Sequence, residues 1–445
     1  MNRKIVAIVR YEKPLESVRR VIDFCAGLDG IQSKARIFIK PNIPFWTTAS
    51  VFPKWGVITT SRVVEDTVRI LKERGFDNIT IGEGMVIEPN DRETPAHAFE
   101  SLGYHVLKRR FGVRILNIHE RTFRKVNLGS GVAVNFNTDI LDSDFVINIP
   151  VLKTHAQTVV SLGIKNLKGM IDMKSRKKCH SAHPEKDLNY MIARLPNNLP
   201  PSLTLLDGIY TNERGPGYEG NIRRTDILVA SRDLLSADKV GAKILGYEPS
   251  EVPHLVYAAR VQDRPLNFSD LEIVGERIKD VASFHEYNFP YNEDGTLPRS
   301  MEKMGIKGLS YRQYDLTLCT YCVVINSVIL RAIARAWKKR QGRPWDGVEV
   351  LTGKKMRPMP GNKKTILLGK CIYQANRDNP DIKEMIAIKG CPPEPRAVVR
   401  AFNQAGINLD PAIFERMDEV PGLFMKKYKG KAEFEESFFK SSLPN

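Results

Sequence analysis

The first half of the chain alternates short apolar runs with amphipathic segments of helical period. The run "KIVAIV" is followed by a helical pattern near 15–26, by "ARIFIKPN", by the amphipathic "SRVVEDTVRILKERGF" and by "NITIGEG". A βαβαβ order of this kind predicts parallel strands joined by right-handed crossovers. Further strands are expected at "VRILNI", "DFVINIP", "LTLLDGI" and "DILVAS". The predicted fold class is therefore α/β, with a mostly parallel, doubly wound sheet.

The last third of the chain repeats this alternation on a smaller scale. A long helix is expected in "CTYCVVINSVILRAIARAWKKRQG", strands in "GVEVLTG", "KKTILLGKC" and "EMIAIKGC", and a second helix in "EPRAVVRAFNQAG". At 445 residues the chain exceeds the usual size of one hydrophobic core. We therefore predict an α/β domain with a basic crevice over 1–260, a connection or surface insertion over 261–312, and a smaller C-terminal α/β domain carrying four cysteines over 313–445.

The chain has a formal net charge of +17 at pH 7, which indicates an anionic partner. Nucleic acid, an anionic membrane surface and acidic small molecules all fit this charge. The sequence contains no helix-turn-helix, zinc-finger or aromatic ribonucleoprotein motif, which disfavours nucleic acid. An anionic small molecule is therefore the predicted substrate, and a redox partner protein and a homo-oligomer also fit the sequence.

The N-terminal apolar run ends at Arg10 and is too short for a secretory signal. No stretch of the sequence approaches the roughly 18 apolar residues that span a bilayer. We therefore expect a cytoplasmic protein without a membrane span.

Four of the six cysteines lie in the last third of the chain, at Cys319, Cys322, Cys371 and Cys391. The first two form a C-x2-C pair before the predicted long helix, and the other two directly follow predicted strands. Because ligands gather outside the carboxyl ends of parallel strands, the thiolates are expected to converge. Four thiolates suit a [4Fe-4S] cluster or a zinc ion, and unligated core cysteines are the remaining alternative. Zinc sites usually draw on two short C-x2-4-C pairs and this sequence has one, so a [4Fe-4S] cluster is the leading prediction.

Polar residues follow three predicted strands of the first domain. They are Lys40 and Asn42 in "FIKPN", Glu83 in "TIGEG", and Lys153, Thr154 and His155 in "VLKTH". The carboxyl-edge rule brings them to one crevice, where they would face a ligand. The alternative is a structural salt bridge between Lys40 and Glu83, with His155 capping the next helix.

The segment after His155, "TVVSLGIKNLKG", has apolar residues at helical spacing and predicts a helix that Gly169 ends. Lys165, Asn166 and Lys168 would then lie at its basic end, where they either complement the helix dipole or hold a carboxylate or phosphate. Residues 174–178 are expected to form a mobile basic rim. Asp207 ends the predicted strand "LTLLDGI" and joins the expected site.

Several stretches together resemble the domain of unknown function 362 family. They are "IKPN", "TIGEG", "DFVINIPVLKTHAQTVVSLGIKNLKG", "LLDGI", "GPGYEG" and "SADKVGAKILG", and they cover roughly residues 35–260. Members are often described as iron–sulfur proteins, some with an added ferredoxin module. This chain lacks the compact C-x2-C-x2-C-x3-C run of such modules, because its four cysteines are dispersed. The resemblance implies architecture and site position more than a reaction.

These observations together predict an iron–sulfur oxidoreductase acting on an anionic carboxylate or phosphate compound. The catalytic candidates are His155, Lys153 and Glu83, of which His155 is the proton-transfer group because its ordinary pKa lies near neutrality. The substrate-binding candidates are Lys40, Asn42, Thr154, Lys165, Asn166, Lys168 and Asp207. A non-enzymatic iron–sulfur electron carrier and a zinc-stabilised nucleic-acid-binding protein are the alternatives.

Overall fold

A computed structural model describes residues 3–86 and 91–444 of the chain. The described chain divides into two compact units. Unit 1 comprises Met1–Arg176, Asn189–Asn288 and Pro421–Asn445, and unit 2 comprises Lys177–Leu188 and Phe289–Val420. The boundaries predicted at 260 and 312 differ from these, and the C-terminal residues group with unit 1.

Unit 1 is built on one large sheet and a separate hairpin. Its strands, numbered in chain order, are β1 Lys4–Arg10, β2 Ile37–Pro41, β3 Ile79–Glu83, β4 Arg114–Asn117, β5 Phe123–Gly129, β6 Val132–Asn137, β7 Phe145–Ile149, β8 Val151–His155, β9 Val159–Ser161, β10 Ser202–Glu213, β11 Asn221–Ser231 and β12 Leu271–Gly275. The sheet order is β12-β1-β11-β10-β7-β2-β3-β4, with β8 on β10 and β9 on β8, and β5 pairs with β6 in the hairpin.

Most neighbouring strands of this sheet are parallel. The exceptions are β11, which is antiparallel to both β1 and β10, and β9, which is antiparallel to β8. Strands β2, β3 and β7 are buried along their whole length, as expected for strands covered on both faces. The predicted α/β class with a mostly parallel sheet is confirmed.

The helices of this part of the chain connect and cover the strands. They are α1 Glu16–Phe24, α2 Ser61–Glu73, α3 Glu93–Ser101, α4 Tyr104–Phe111, α5 Thr138–Leu141, α6 Gly163–Asn166, α7 Met173–Cys179, α8 Leu188–Ala193, α9 Leu234–Ile244, α10 Pro253–Val261 and α11 Ile278–Val281. Helix α2 shows why such segments fold as they do. Its residues Val63, Val64, Val68 and Leu71 recur at helical spacing and are all buried.

The segment after His155 folds differently from the prediction of one helix. Val159–Ser161 forms β9 against β8, and only then come the short helix α6 and a 3-10 turn at Leu167–Met170. Residues 174–178, predicted as a mobile rim, lie in helix α7. The side chain of Arg176 in that helix is buried and donates to the carbonyl oxygens of Gly169 and Ile171 at 2.7 and 3.0 Å. These bonds hold the Arg176 side chain against the 3-10 turn that precedes the helix.

The C-terminal segment returns to the surface of unit 1. Tyr428 and Phe434 pack their rings on Trp55, with centroids 5.4 and 5.6 Å apart. The hydroxyl of Tyr210 donates to the carbonyl oxygen of Glu433 at 2.9 Å. This aromatic packing is the physical reason that the segment groups with unit 1, although it follows the cysteine region in sequence.

Unit 2 contains a parallel sheet with its own core. Its strands are β13 Leu309–Tyr311, β14 Val348–Leu351, β15 Lys364–Leu368 and β16 Glu384–Ile388, adjacent in that order. The following helices are α12 Arg299–Lys303, α13 Thr320–Lys339, α14 Lys370–Asn376, α15 Pro395–Gln404, α16 Ala412–Glu415 and α17 Val420–Phe424, the last of which ends in unit 1. The residues of strand β13 lie inside the region predicted as a connection or surface insertion. They pair with β14 and so belong to the sheet of unit 2.

Helix α13 is the one described helix that is long and apolar enough, by length and composition, to cross a membrane. Its residues Ile325, Ile329 and Ile333 lie in the buried core of unit 2. A core helix of a globular unit passes the same test, so this is weak support for a span.

Candidate functional site

The carboxyl edge of β2 and β3 holds a buried ion pair. Lys40 Nζ lies 2.7 Å from Glu83 Oε2, and the side chains are 0% and 2% exposed. Glu83 also accepts hydrogen bonds from the backbone N–H groups of Ile43 and Gly84 at 2.8 and 2.7 Å. Each charge thus has a partner charge and further hydrogen bonds, as burial requires. The structural salt bridge, which the sequence left open as an alternative, is present.

Two asparagines extend this pair into a network. Asn166 Oδ1 accepts from Lys40 Nζ at 3.3 Å and from Asn42 Nδ2 at 3.0 Å. Asn42 Oδ1 in turn accepts from Lys153 Nζ at 2.7 Å. Asn166 Nδ2 donates to Asn148 Oδ1 at 2.8 Å. Asn148 was not predicted, although its position in "DFVINIP", beside Lys40 in the strand register, was a usable signal.

Gly169 has a different role from the predicted helix cap. A Cβ atom added at Gly169 would lie 2.6 Å from Glu83 Oε1 and 2.7 Å from Lys40 Nζ. The backbone of the 3-10 turn therefore closes directly over the ion pair, which only glycine permits. Lys168, in the same turn, is buried.

His155 and Lys165 form a second polar pair in unit 1. Their Nε2 and Nζ atoms are 3.2 Å apart, and the backbone N–H of Gln157 donates to His155 Nδ1 at 3.0 Å. Because Nδ1 accepts, the proton of a neutral His155 ring lies on Nε2 and faces the amine. The predicted proton-transfer role of His155 stays a prediction.

His254 is a buried neighbour of this pair that the sequence reasoning missed. Its side chain is fully buried, and neither ring nitrogen has a hydrogen-bond partner among the described residues. Burial, with a contribution from the charge of Lys165, lowers the pKa of His254 to about 3. The ring is therefore neutral at physiological pH. A lone histidine in "PHLVYAAR" gave no sequence signal beyond its residue type.

Thr154 and Asp207 serve the backbone rather than the network. The Thr154 hydroxyl lies 3.2 and 3.1 Å from the carbonyl oxygens of Asn212 and Glu286. The Asp207 carboxylate accepts from the N–H groups of Thr60 and Ile209 at 2.6 and 3.2 Å. Burial raises the pKa of Asp207 to about 6 despite these hydrogen bonds. The structure therefore gives both residues a role in holding loops and does not bring them to the other candidates.

Lys153 is 1% exposed and donates to Asn42 Oδ1 and to the carbonyl oxygen of Val57, both at 2.7 Å. Burial lowers the pKa of Lys153 to about 7, because desolvation outweighs the attraction of Glu83. An unfolded lysine has a pKa of about 10.4. Between these values the unfolded chain binds one more proton than the folded chain, so the free energy of unfolding should rise with pH.

We therefore expect Lys153→Met to flatten the pH dependence of stability between about pH 7 and pH 10. The wild-type free energy of unfolding should gain up to about 1.4 kcal/mol per pH unit from this lysine, and the variant should lack that gain. Urea unfolding at a series of pH values measures the difference. Lys338→Met, at an exposed position, serves as the control and should keep the wild-type slope. Parallel curves for the wild type and Lys153→Met would contradict the lowered pKa.

The opposite edge of the same sheet holds a cavity of about 320 Å³ that the sequence did not indicate. Arg36, Arg114 and Arg121 line it at the amino ends of β2 and β4 and beside β5. Arg36 and Arg121 are already paired with Asp144 and Asp139 at 2.9 and 3.0 Å. The cavity therefore offers less free positive charge than its arginines suggest.

The four cysteines of the last third line one cavity of unit 2. Cys319 lies directly before helix α13 and Cys322 in its first turn, while Cys371 and Cys391 follow strands β15 and β16. Gly369, whose φ is +102°, lies among them, and a Cβ there would be 3.9 Å from Cys322 Sγ. The convergence expected from strand ends and a helix N-terminus is thus seen in the arrangement of the chain.

The Cys322 thiol interacts electrostatically with the other three thiols. A hydrogen bond with Cys319 raises the pKa of Cys322, and burial and the charges of Cys371 and Cys391 raise it further. In the described chain, no group of three or more His, Cys, Asp or Glu side chains is already close enough to hold a metal ion. A bound metal would have to draw these thiols inward.

Three lysines line the same cavity, at Lys177, Lys354 and Lys370. The Lys177 amine lies 4.8 Å from the centre of the Tyr321 ring, and the backbone N–H of Lys354 donates to the Thr317 hydroxyl at 2.7 Å. The wall is therefore positive, which suits a group that carries negative charge when thiolates ligate it.

Residues 37–243 match the model of a family described as domain of unknown function, DUF362. The resemblance predicted from the sequence is therefore confirmed over these residues. The matched range contains the Lys40–Glu83 network and the His155–Lys165 pair.

Among known proteins, a thylakoid-associated protein of Synechocystis sp. is 26% identical over 255 residues, which are 56% of this chain and 76% of that protein. The structure of the lactate racemase apoprotein from Thermoanaerobacterium thermosaccharolyticum aligns with 55% of this chain and 57% of its own, with a TM-score of 0.31 and 12% identity. A TM-score this low does not establish a shared fold. Neither name states a cofactor, so the cluster stays a prediction.

Proposed function

We propose that unit 2 binds a [4Fe-4S] cluster through Cys319, Cys322, Cys371 and Cys391. The observation that supports this is the convergence of four thiols, dispersed over 73 positions of sequence, on one cavity with a lysine-lined wall. Disulfides do not pair these cysteines, which are free thiols with Cys371 and Cys391 exposed. Four thiolates satisfy the ligand requirement of such a cluster.

A structural zinc ion is the alternative occupant of the same four thiols. The lysines suit both occupants, since four thiolates leave net negative charge on a zinc ion as well as on a cluster. Zinc sites draw more often on two short cysteine pairs, and this cavity uses one pair and two separate strand ends.

We further propose that the chain is an oxidoreductase that acts on an anionic carboxylate or phosphate compound. When bound, the cluster supplies one-electron transfer, with electrons exchanged with a redox partner protein. In unit 1, Lys165 would attract the anion and His155 would move a proton, because the two groups already share a short contact. Lys153 is the second candidate base, because burial lowers its pKa to about 7. We propose a cytoplasmic location, as the sequence predicts.

The buried network then supports these groups rather than binding substrate directly. Lys40 and Glu83 neutralise each other, and Asn42 and Asn166 join them to Lys153. Such a network holds a lysine amine in one place, which a proton-transfer step needs.

A non-enzymatic iron–sulfur electron carrier is the second candidate. It is favoured by one observation: Lys40, Glu83 and Lys153 are almost completely buried, with Lys40 bound to Glu83 and Lys153 bound to Asn42 and the Val57 backbone. An electron carrier would need no substrate pocket at these groups.

Anaerobic purification followed by metal analysis tests the proposal. We expect about four iron and four sulfide per chain, with a broad absorption band near roughly 400 nm that bleaches on reduction. Stoichiometric zinc in a colourless protein would overturn the cluster. An iron–sulfur protein whose cluster is not reoxidised by any carboxylate or phosphate compound, but is reoxidised by a protein acceptor, would identify the electron carrier instead.

A further inference from the structure

An exposed apolar pair lies on the surface of unit 1. Val51 and Leu423 are 63% and 61% exposed, the highest values among the large hydrophobic residues that are exposed in the described chain. The backbone N–H of Gly422 in helix α17 donates to the Ser50 hydroxyl at 3.2 Å, so the helix that carries Leu423 touches the segment that carries Val51. A Cβ at Gly422 would lie 2.8 Å from Ser50 Cβ, so the two segments approach this closely because residue 422 is glycine.

A lysine segment begins directly beside this apolar pair. Residues 421–432, "PGLFMKKYKGKA", contain four lysines and no acidic residue, with Asp418 and Glu419 before them and Glu433 after them. The lysines are Lys426, Lys427, Lys429 and Lys431, and all are exposed. Two aromatic residues fix the segment: Phe424 packs on Tyr218 with ring centroids 5.1 Å apart, and Tyr428 is buried. These contacts hold the lysine segment, which directly follows Leu423 in sequence, on the surface of unit 1.

We propose that this surface, formed by Val51, Leu423 and the lysines of 426–431, docks on an anionic lipid bilayer. Val51 and Leu423 insert among the acyl chains at the interface, and the lysines contact the anionic headgroups. Stable peripheral binding needs two signals of this kind, because either a small apolar insertion or a polybasic patch alone binds weakly. The two signals adjoin here.

The chemistry of the exposed side chains favours lipid over nucleic acid. Bases stack on exposed aromatic rings, but Tyr428 is buried and packs on Trp55 and Phe434. The side chains left exposed at the tip are aliphatic, and such groups partition into acyl chains. The proposal goes beyond the proposed function, since it does not depend on the cysteines or on any residue of the buried network.

Vesicle co-sedimentation with the full chain tests the docking surface. Vesicles of phosphatidylcholine with about 30% phosphatidylserine, which have a negative surface potential, are compared with pure phosphatidylcholine vesicles. We expect the wild type to bind the anionic vesicles and to bind the neutral ones at least about tenfold more weakly. The triple variant K426Q/K429Q/K431Q should bind the anionic vesicles about 100-fold more weakly, since each lysine near the surface contributes about a factor of five.

The apolar half of the surface has its own variant. V51S/L423S should weaken binding to the anionic vesicles by about tenfold or more. The matched controls are K338Q/K339Q/R343Q, which removes three exposed positive charges elsewhere, and V261S. Both should bind as the wild type does. Thermal melts check that each variant is folded; because the substituted side chains are exposed, the wild-type melting temperature should be kept.

Three results would overturn the proposal. Equal binding to neutral and anionic vesicles would show that the lysines do not contribute to binding. Unchanged binding by V51S/L423S would show charge attraction without insertion. Binding of RNA or DNA through the same lysines, with none to the anionic vesicles, would identify a nucleic-acid surface instead.

Discussion

Replacing Glu83 with glutamine should lower the free energy of unfolding by about 3–5 kcal/mol, because it leaves a buried lysine without its counter-charge. Lys40 is fully buried at the carboxyl edge of β2, and Glu83 is the carboxylate within hydrogen-bond distance of its amine. Burial already lowers the pKa of Lys40, and the charge of Glu83 acts against that shift. Without the carboxylate, folding must either bury an unpaired cation or remove its proton. Urea unfolding at pH 7 measures the loss.

A double variant separates the ion pair from simple packing. Lys40→Met combined with Glu83→Leu removes both charges, so it should destabilise the fold less than Glu83→Gln alone. The surface pair Lys363–Asp346, whose side chains are 62% and 71% exposed, provides the external control. Asp346→Asn should change stability by no more than about 0.5 kcal/mol. If Glu83→Gln were as mild as Asp346→Asn, the buried pair would contribute nothing to the fold.

The local period of the sequence predicted most of the sheet. The apolar run "DFVINIP" predicted a doubly covered strand, and β7 is buried at each of its positions. Helix α2 also follows its apolar spacing. These elements are determined by residues close in sequence, since each buries a face that its own pattern defines.

The elements that were predicted wrongly depend on contacts between residues far apart in the sequence. "TVVSLG" has helical spacing, but β8 offers an unpaired edge and the residues Val159–Ser161 pair with it as a strand. The hydroxyl of Tyr210 meets the backbone of Glu433, 223 positions further along the chain. No local pattern encodes such a contact, so the return of the C-terminal segment to unit 1 was not predicted.

Only part of the candidate site, like part of the fold, could be predicted from the sequence. The rule that ligands gather at the carboxyl ends of parallel strands brought Lys40 and Glu83 together correctly, and it brought Cys371 and Cys391 to one cavity. The rule does not say whether neighbouring polar side chains already form ion pairs or hydrogen bonds with one another. Lys40 and Glu83 form such an ion pair, and Thr154 and Asp207 bind backbone groups. The sequence could not show either of these arrangements.

Replacing any of the four converging cysteines with serine should abolish binding of the proposed cluster. A serine oxygen is a harder ligand and a poor substitute for a thiolate, so cluster binding would lose one of its four ligands. In Cys319→Ser, Cys322→Ser, Cys371→Ser and Cys391→Ser we expect iron and sulfide to fall from about four each per chain to background. The band near roughly 400 nm should fall in proportion. Iron and sulfide assays on anaerobically purified protein measure the loss.

Cys25 supplies the matched control, because it is a free cysteine of unit 1 that donates to the carbonyl oxygen of Ile22 at 3.4 Å. Cys25→Ala should keep the full iron and sulfide content. Cys371 and Cys391 are the most informative of the four, since both are exposed and their replacement removes little packing. A cluster that survives both of those changes would have other ligands. Zinc lost from all four variants, with iron absent from the wild type, would instead assign the same thiols to a structural zinc ion.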